Sequence, residues 1–120
     1  DLHSFPTRRS SDLWQSETPH QALSATRELI NHAHIGNCVI SDPGHPDYGD
    51  LHPYFGHPQG ESNVPQVREF LRGLLDIGYL CPDAPERSIV AFEVQPLHGQ
   101  RSRAVVADAK RVLREAWRTL

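Results

Sequence analysis

Two short strand-like segments with an amphipathic helix between them constrain the fold of this chain more than any other feature. The segments are residues 30–36, INHAHIG, and residues 88–94, SIVAFEV. Strands that alternate with helices are typical of βαβ units, in which neighbouring strands run parallel. We therefore predict an α/β fold with a parallel sheet. Because a lone pair of strands leaves two edges unpaired, we also expect partner strands outside this chain.

Three helices are predicted around these strands. The first runs over about residues 19–28, with Thr18 as its N-cap. The second is capped by Asn63 and ends before Gly78, and the third is capped by Ser102. Apolar residues at helical spacing predict a buried face on the two longer helices: Val64, Val67, Phe70, Leu71, Leu74 and Leu75 on the second, and Val105, Val106, Ala109, Val112, Leu113, Ala116, Trp117 and Leu120 on the third.

The segment from Cys38 to Asn63 is predicted to be a long, ordered loop. It holds four prolines and four glycines, a density that excludes a helix. Three aromatic side chains, Tyr48, Tyr54 and Phe55, can anchor it. Loops of this length in compact domains usually carry functional residues.

Composition excludes several classes of protein. The chain has 120 residues, 38% of them hydrophobic, and a formal net charge of −3. No apolar run approaches the roughly 18 residues of a membrane span, so we expect no membrane association. The mild negative charge argues against a nucleic-acid partner. The two cysteines lie in no CxxC motif and are predicted to be thiols, which favours a cytoplasmic location.

The first thirteen residues, DLHSFPTRRSSDL, resemble an in-frame translation of a short-read sequencing adapter. We expect residues 1–13 to be a non-native, disordered segment. The chain also contains no methionine. We therefore expect residues 14–120 to be part of a longer protein.

Two histidines stand at the end of the first strand. Strand alternation places the imidazoles of His32 and His34 on one face and the side chains of Ala33 and Ile35 on the other. Gly36 ends this strand, so the histidines lie at its carboxyl end, where parallel α/β folds bind ligands. Imidazole is a common metal ligand. The pair alone is equally consistent with two hydrogen-bonded structural histidines.

Glu93 lies near the carboxyl end of the second strand, on the face that also carries Ile89 and Ala91. Burying a carboxylate there is costly unless it is paired or coordinated. A histidine and a carboxylate at the same end of adjacent strands predict a mixed nitrogen and oxygen site for a divalent metal. A rim glutamate or a salt bridge to an arginine is the alternative.

The long loop supplies a further carboxylate and imidazole, Asp50 and His52. They could add metal ligands or contact substrate hydroxyls; an Asp turn with an exposed histidine is the alternative. We expect His45, His57 and His98 to be ordinary surface residues.

Together these segments resemble the C-terminal part of a sugar phosphate isomerase/epimerase with a xylose isomerase-like TIM barrel. The resemblance covers residues 14–120 and rests on HAHIGN, YGDLHPYFG, VREFLRGLLDIGYL, VAFEVQPL and AKRVLREAW. HAHIGN is similar to the HxHxGE signature of ketose 3-epimerases, and AFEVQP to their final-strand MEPF. The chain departs from that signature at Asn37, where the family has glutamate.

The resemblance implies that the chain forms the last two strands, with their helices, of a (β/α)8 barrel. It implies a divalent metal (Mn²⁺, Mg²⁺, Co²⁺ or Zn²⁺) whose last two ligands are His34 and Glu93, with Glu93 also the catalytic acid/base. The substrate would be a small sugar or sugar phosphate, and the substrate contacts or supporting residues would be His32, Asn37, Asp50 and His52. The full-length protein, a candidate homo-oligomer, would be the active enzyme, and this chain alone would be inactive.

Two other functions stay open. Asp50 and His52 also resemble the Asp-x-His of the endonuclease IV branch, whose members are zinc phosphodiesterases. The third possibility is a non-catalytic binding module derived from a barrel.

Overall fold

A computed structural model describes residues 18–84 and 88–120. Its elements are α1 (Pro19–Thr26), β1 (Ala33–Gly36), α2 (Val64–Asp76), β2 (Val90–Glu93) and α3 (Ser102–Arg118). Residues 1–13, which we expect to be a non-native, disordered segment, lie outside the described residues.

The predicted parallel sheet is confirmed. β1 and β2 pair in parallel, with Ala33 opposite Val90 and Gly36 opposite Glu93. The described residues therefore form a small α/β unit of three helices and a two-stranded parallel sheet.

Alternation along the strands separates an apolar face from a polar one, as predicted. Ala33 and Ile35 are buried in the core, and Val90 and Phe92 pack against the same cluster. All three helices contribute to this core, through Leu23, Val67, Phe70, Leu71, Leu74, Ala109, Val112 and Ala116. The opposite face of the sheet carries the polar side chains from which the candidate site is built.

The helix ends follow local chemistry. Thr18 and Asn63 cap α1 and α2, each in a capping box closed by a glutamine three residues later. Gly78 follows α2 with φ of +78°, a conformation that favours glycine. The prediction that Ser102 caps α3 is wrong, because the carbonyl of Arg101 already accepts the N–H of Val105, which makes Ser102 the first helical residue.

Asn37 organises the long loop. Its side chain is fully buried, and its Nδ2 donates to the carbonyl of Tyr54 at 3.0 Å. Its Oδ1 accepts the N–H of Cys38 at 2.9 Å and that of Ser62 at 2.8 Å. The start, middle and end of the loop therefore converge on one amide. Of the two roles expected for Asn37, substrate contact or support, the buried amide fits support, because all three of its hydrogen bonds hold the backbone.

Two further observations bear on the expectations from composition. Cys38 and Cys81 do not form a disulfide. Within residues 18–84 and 88–120, no helix combines the length and apolarity needed to cross a membrane.

Candidate functional site

The carboxyl ends of β1 and β2 bring His34 and Glu93 together. The register places Gly36 beside Glu93 and His34 two residues earlier on the same face. As a result, Nδ1 of His34 lies 3.5 Å from Oε2 of Glu93. Their side chains are 30% and 41% exposed, so the pair lies at the border of the core and the solvent.

The second nitrogen of the His34 ring is engaged by His32. The two Nε2 atoms are hydrogen-bonded to each other, and the rings meet edge to face with centroids 4.4 Å apart. Nδ1 of His34 is buried and has no hydrogen-bond partner among the described residues. When His34 donates through Nε2, a lone pair on Nδ1 faces Glu93.

His52 approaches Glu93 from the other side. Its Nε2 lies 3.6 Å from Oε1 of Glu93 and 3.6 Å from Oδ1 of Asp50. Its carbonyl accepts the N–H of Gln95 at 2.8 Å, which ties the loop to the segment after β2. The alternative of a solvent-exposed histidine is wrong, since the His52 side chain is 14% exposed. The Glu93 carboxylate therefore lies between two imidazoles.

The His52 ring reaches this position because residue 36 is glycine. A Cβ at Gly36 would lie 2.6 Å from Nδ1 of His52. We expect Gly36→Ala to displace the ring from Glu93 and to lower the free energy of unfolding by about 1–3 kcal/mol. Urea unfolding and the NMR shift of the His52 ring measure the two effects.

Gly44→Ala is the matched control, because Gly44 is exposed and its φ is not positive. Equal stability of the two variants, with an unchanged His52 resonance in Gly36→Ala, would contradict this account of residue 36.

The donor atoms of His34 and Glu93 fit a divalent metal. Metal–ligand bonds of about 2.0–2.2 Å place two donors of one ion about 3.0–3.5 Å apart. The His34–Glu93 separation of 3.5 Å agrees with that spacing. A buried imidazole nitrogen without a hydrogen-bond partner is also costly in the absence of a ligand. The pair could supply two ligands, and a complete coordination shell would need others.

A second group of possible ligands lies in the loop. Donor atoms of His45, Asp47 and His57 all lie within 4.8 Å of one another, so by spacing the group could hold a metal ion. His98 also hydrogen-bonds Asp47. The expectation of ordinary surface residues is therefore wrong for His45 and His57, which are partly buried, whereas His98 is exposed as expected. Asp47 was missed altogether; the local signal beside it is Pro46, because proline favours turns.

The environment of Asp47 favours its ionised form. The hydrogen bond from His98 lowers the pKa of Asp47 below its ordinary value of 3.8; burial opposes this, and the bond from His57 lowers the pKa again. A lowered folded-state pKa gives stability that is present above the unfolded-state pKa and is lost as pH falls through the folded-state value.

We therefore expect the stability difference between wild type and Asp47→Asn to be constant above about pH 5 and to shrink below about pH 4. Urea unfolding of both proteins across this range measures it. A difference that is the same at both ends of the range would show that ionisation of Asp47 does not stabilise the fold.

No family model, curated protein or solved structure matches this chain. Its function must therefore be argued from the geometry of the site.

Proposed function

We propose that His34 and Glu93 hold a divalent metal ion in one half of an active site, and that the complete protein is a sugar or sugar phosphate isomerase/epimerase. One observation carries the proposal: a buried Nδ1 of His34, without a hydrogen-bond partner among the described residues, faces the Glu93 carboxylate at 3.5 Å. The resemblance of HAHIGN and VAFEVQPL to epimerase motifs supports the same chemistry.

On this proposal the chain forms the last two strands and helices of a (β/α)8 barrel. The outer edges of β1 and β2 have no strand partner in the part of the chain that the structure describes. A closed barrel pairs both edges. Its helices cover the outer face of the sheet, as they cover Ala33 and Ile35 here, and its active site lies at the carboxyl ends of the strands.

The side chains present here have distinct tasks in this mechanism. A metal held by His34 and Glu93 would supply a Lewis acid that polarises a sugar carbonyl. Glu93, whose side chain is 41% exposed, moves the proton to and from the carbon beside that carbonyl. His52, with Nε2 3.6 Å from Oε1 of Glu93, stabilises the Glu93 carboxylate when the carboxylate is charged. His32 fixes the orientation of the His34 ring. Asp50, whose Oδ1 lies 3.6 Å from Nε2 of His52, contacts a sugar hydroxyl on this proposal.

The upstream reading frame distinguishes the three candidate functions. A glutamate and an aspartate at the carboxyl ends of two preceding strands support the isomerase/epimerase. Additional histidine ligands support a zinc phosphodiesterase, and the absence of both supports a non-catalytic module.

In the complete protein, we expect His34→Ala and Glu93→Gln each to lower the bound metal content by at least about tenfold. We expect the rate at which solvent protons exchange into the sugar to fall by a similar factor. Glu69→Gln is the control, because Glu69 is exposed on α2. Unchanged metal stoichiometry in both site variants would overturn the ligand assignment.

The proposal includes a small-molecule partner and a cytoplasmic location. The absence of a disulfide between Cys38 and Cys81 is compatible with a reducing compartment.

A further inference from the structure

We infer that His45, Asp47, His57 and His98 form a hydrogen-bonded clasp that excludes divalent metal ions and joins the long loop to the segment after β2. We name this group the Asp47 clasp. By spacing alone, three of its members could share an ion. However, the position of the proton on each imidazole disfavours a shared metal ion. This inference is independent of the proposed function, since it concerns other residues.

Two His-Pro-X turns determine which ring nitrogen of His45 and of His57 carries the proton. In His45-Pro46-Asp47, the N–H of Asp47 donates to Nδ1 of His45 at 3.0 Å. In the second turn, which starts at His57, the N–H of Gln59 donates to Nδ1 of His57 at 3.1 Å. A neutral imidazole carries one proton, so a ring that accepts at Nδ1 carries its proton on Nε2. Both rings are therefore held as Nε2–H tautomers.

Two imidazole nitrogens, from His57 and His98, hydrogen-bond the carboxylate of Asp47. Nε2–H of His57 donates to Oδ2 at 3.1 Å, and Nε2–H of His98 donates to Oδ1. Asp47 is 6% exposed, so its carboxylate has lost most of its water. Each oxygen is compensated by an imidazole donor, which is what a buried carboxylate requires.

A metal ion entering this group would have to undo these hydrogen bonds. Coordination through Nε2 needs a lone pair there, which moves the proton to Nδ1. That proton would then face the backbone N–H groups of Asp47 and Gln59. Both turns would lose their hydrogen bonds, and Asp47 would lose the donor from His57. By contrast, Nδ1 of His34 loses no hydrogen bond when it binds a cation.

The clasp joins two distant parts of the chain. Asp47 and His98 are 51 positions apart and belong to the loops that follow β1 and β2. His98 adopts φ of +51°, a left-handed conformation that is unfavourable for a residue other than glycine and that persists where its surroundings impose it. The clasp thus restrains the loop that carries Asp50 and His52.

Long-range ¹H–¹⁵N correlation of the imidazoles in the 120-residue chain tests the inference. We expect His45 and His57 to be Nε2–H tautomers, and we expect one equivalent of ZnCl₂ to leave their ring resonances unchanged. Conversion of either ring to the Nδ1–H form by zinc, with shifts at Nε2, would overturn the inference and identify a metal site.

Amide hydrogen exchange provides the second test. We expect Asp47→Asn to speed exchange at residues 47 and 59 by about tenfold. Asp42→Asn is the control, because Asp42 is exposed and lies outside the clasp. Should Asp47→Asn fail to fold, His98→Ala is the second variant, because it removes only one hydrogen-bond partner of Asp47 and that side chain is exposed. We expect His98→Ala to speed exchange of the amide of residue 47. Unchanged exchange in the folded variant would overturn the inference.

Discussion

Replacing Asn37 by alanine is expected to lower the free energy of unfolding by about 3–5 kcal/mol, because each buried polar group that loses its partner costs about 1–3 kcal/mol. The variant removes the acceptor for the N–H groups of Cys38 and Ser62 and the donor to the carbonyl of Tyr54. These groups lie at the start, end and middle of the loop, so the loop should lose its order together with its stability. Urea unfolding followed by circular dichroism measures the change.

Two further variants make this prediction specific. Gly60→Ala should be destabilising as well, because a Cβ at Gly60 would overlap the amide of Asn37. Asn31→Ala is the control: Asn31 is exposed, and we expect a change within about 0.5 kcal/mol. A loss below about 1 kcal/mol in Asn37→Ala would contradict the central role of this amide.

His34→Ala and Glu93→Gln are each expected to weaken Mn²⁺ binding by the 120-residue chain at least about tenfold. On the proposed assignment the chain contributes the His34 imidazole and the Glu93 carboxylate, so loss of either leaves a single strong donor. Glu93→Gln keeps the shape of the side chain and removes its charge, which separates coordination from packing. Electron paramagnetic resonance of free Mn²⁺ measures the affinity.

The controls for metal binding are His20→Ala and Glu69→Gln, which alter the same residue types at exposed positions. Both should bind Mn²⁺ as wild type does. Wild-type affinity in His34→Ala and Glu93→Gln would mean that the ion binds elsewhere on the chain.

Much of the fold could be predicted because it depends on local patterns. Alternation along residues 30–36 and 88–94 predicts the faces of both strands, and helical spacing predicts α2 and α3. The prediction that Val106 and Trp117 lie on the buried face of α3 is wrong, since both are exposed. The predicted ends of these elements were less accurate. The strands span only residues 33–36 and 90–93, where the two backbones pair. α1 ends at Thr26 rather than near residue 28. Element ends depend on tertiary hydrogen bonds that a local pattern does not contain.

The part of the candidate site that lies on the strands could also be predicted from local patterns, whereas the part that lies in the loops could not. His34 and Glu93 could be placed together because register and alternation determine which side chains meet across paired strands. The role of Asn37 could not, because its burial depends on the path of a loop that returns to it after 25 residues. The Asp47 clasp was missed for the same reason, since it pairs residues 51 positions apart.

Paramagnetic broadening of the amide resonances by Mn²⁺ tests the central claim most directly, because it locates even a weakly bound ion. At low Mn²⁺ concentration, we predict that the signals of His34 and Glu93 broaden first and that Glu93→Gln abolishes this. Broadening that is centred on Asp47 and His57, or that is the same in Glu93→Gln, would contradict the claim that the ends of β1 and β2 form the metal site.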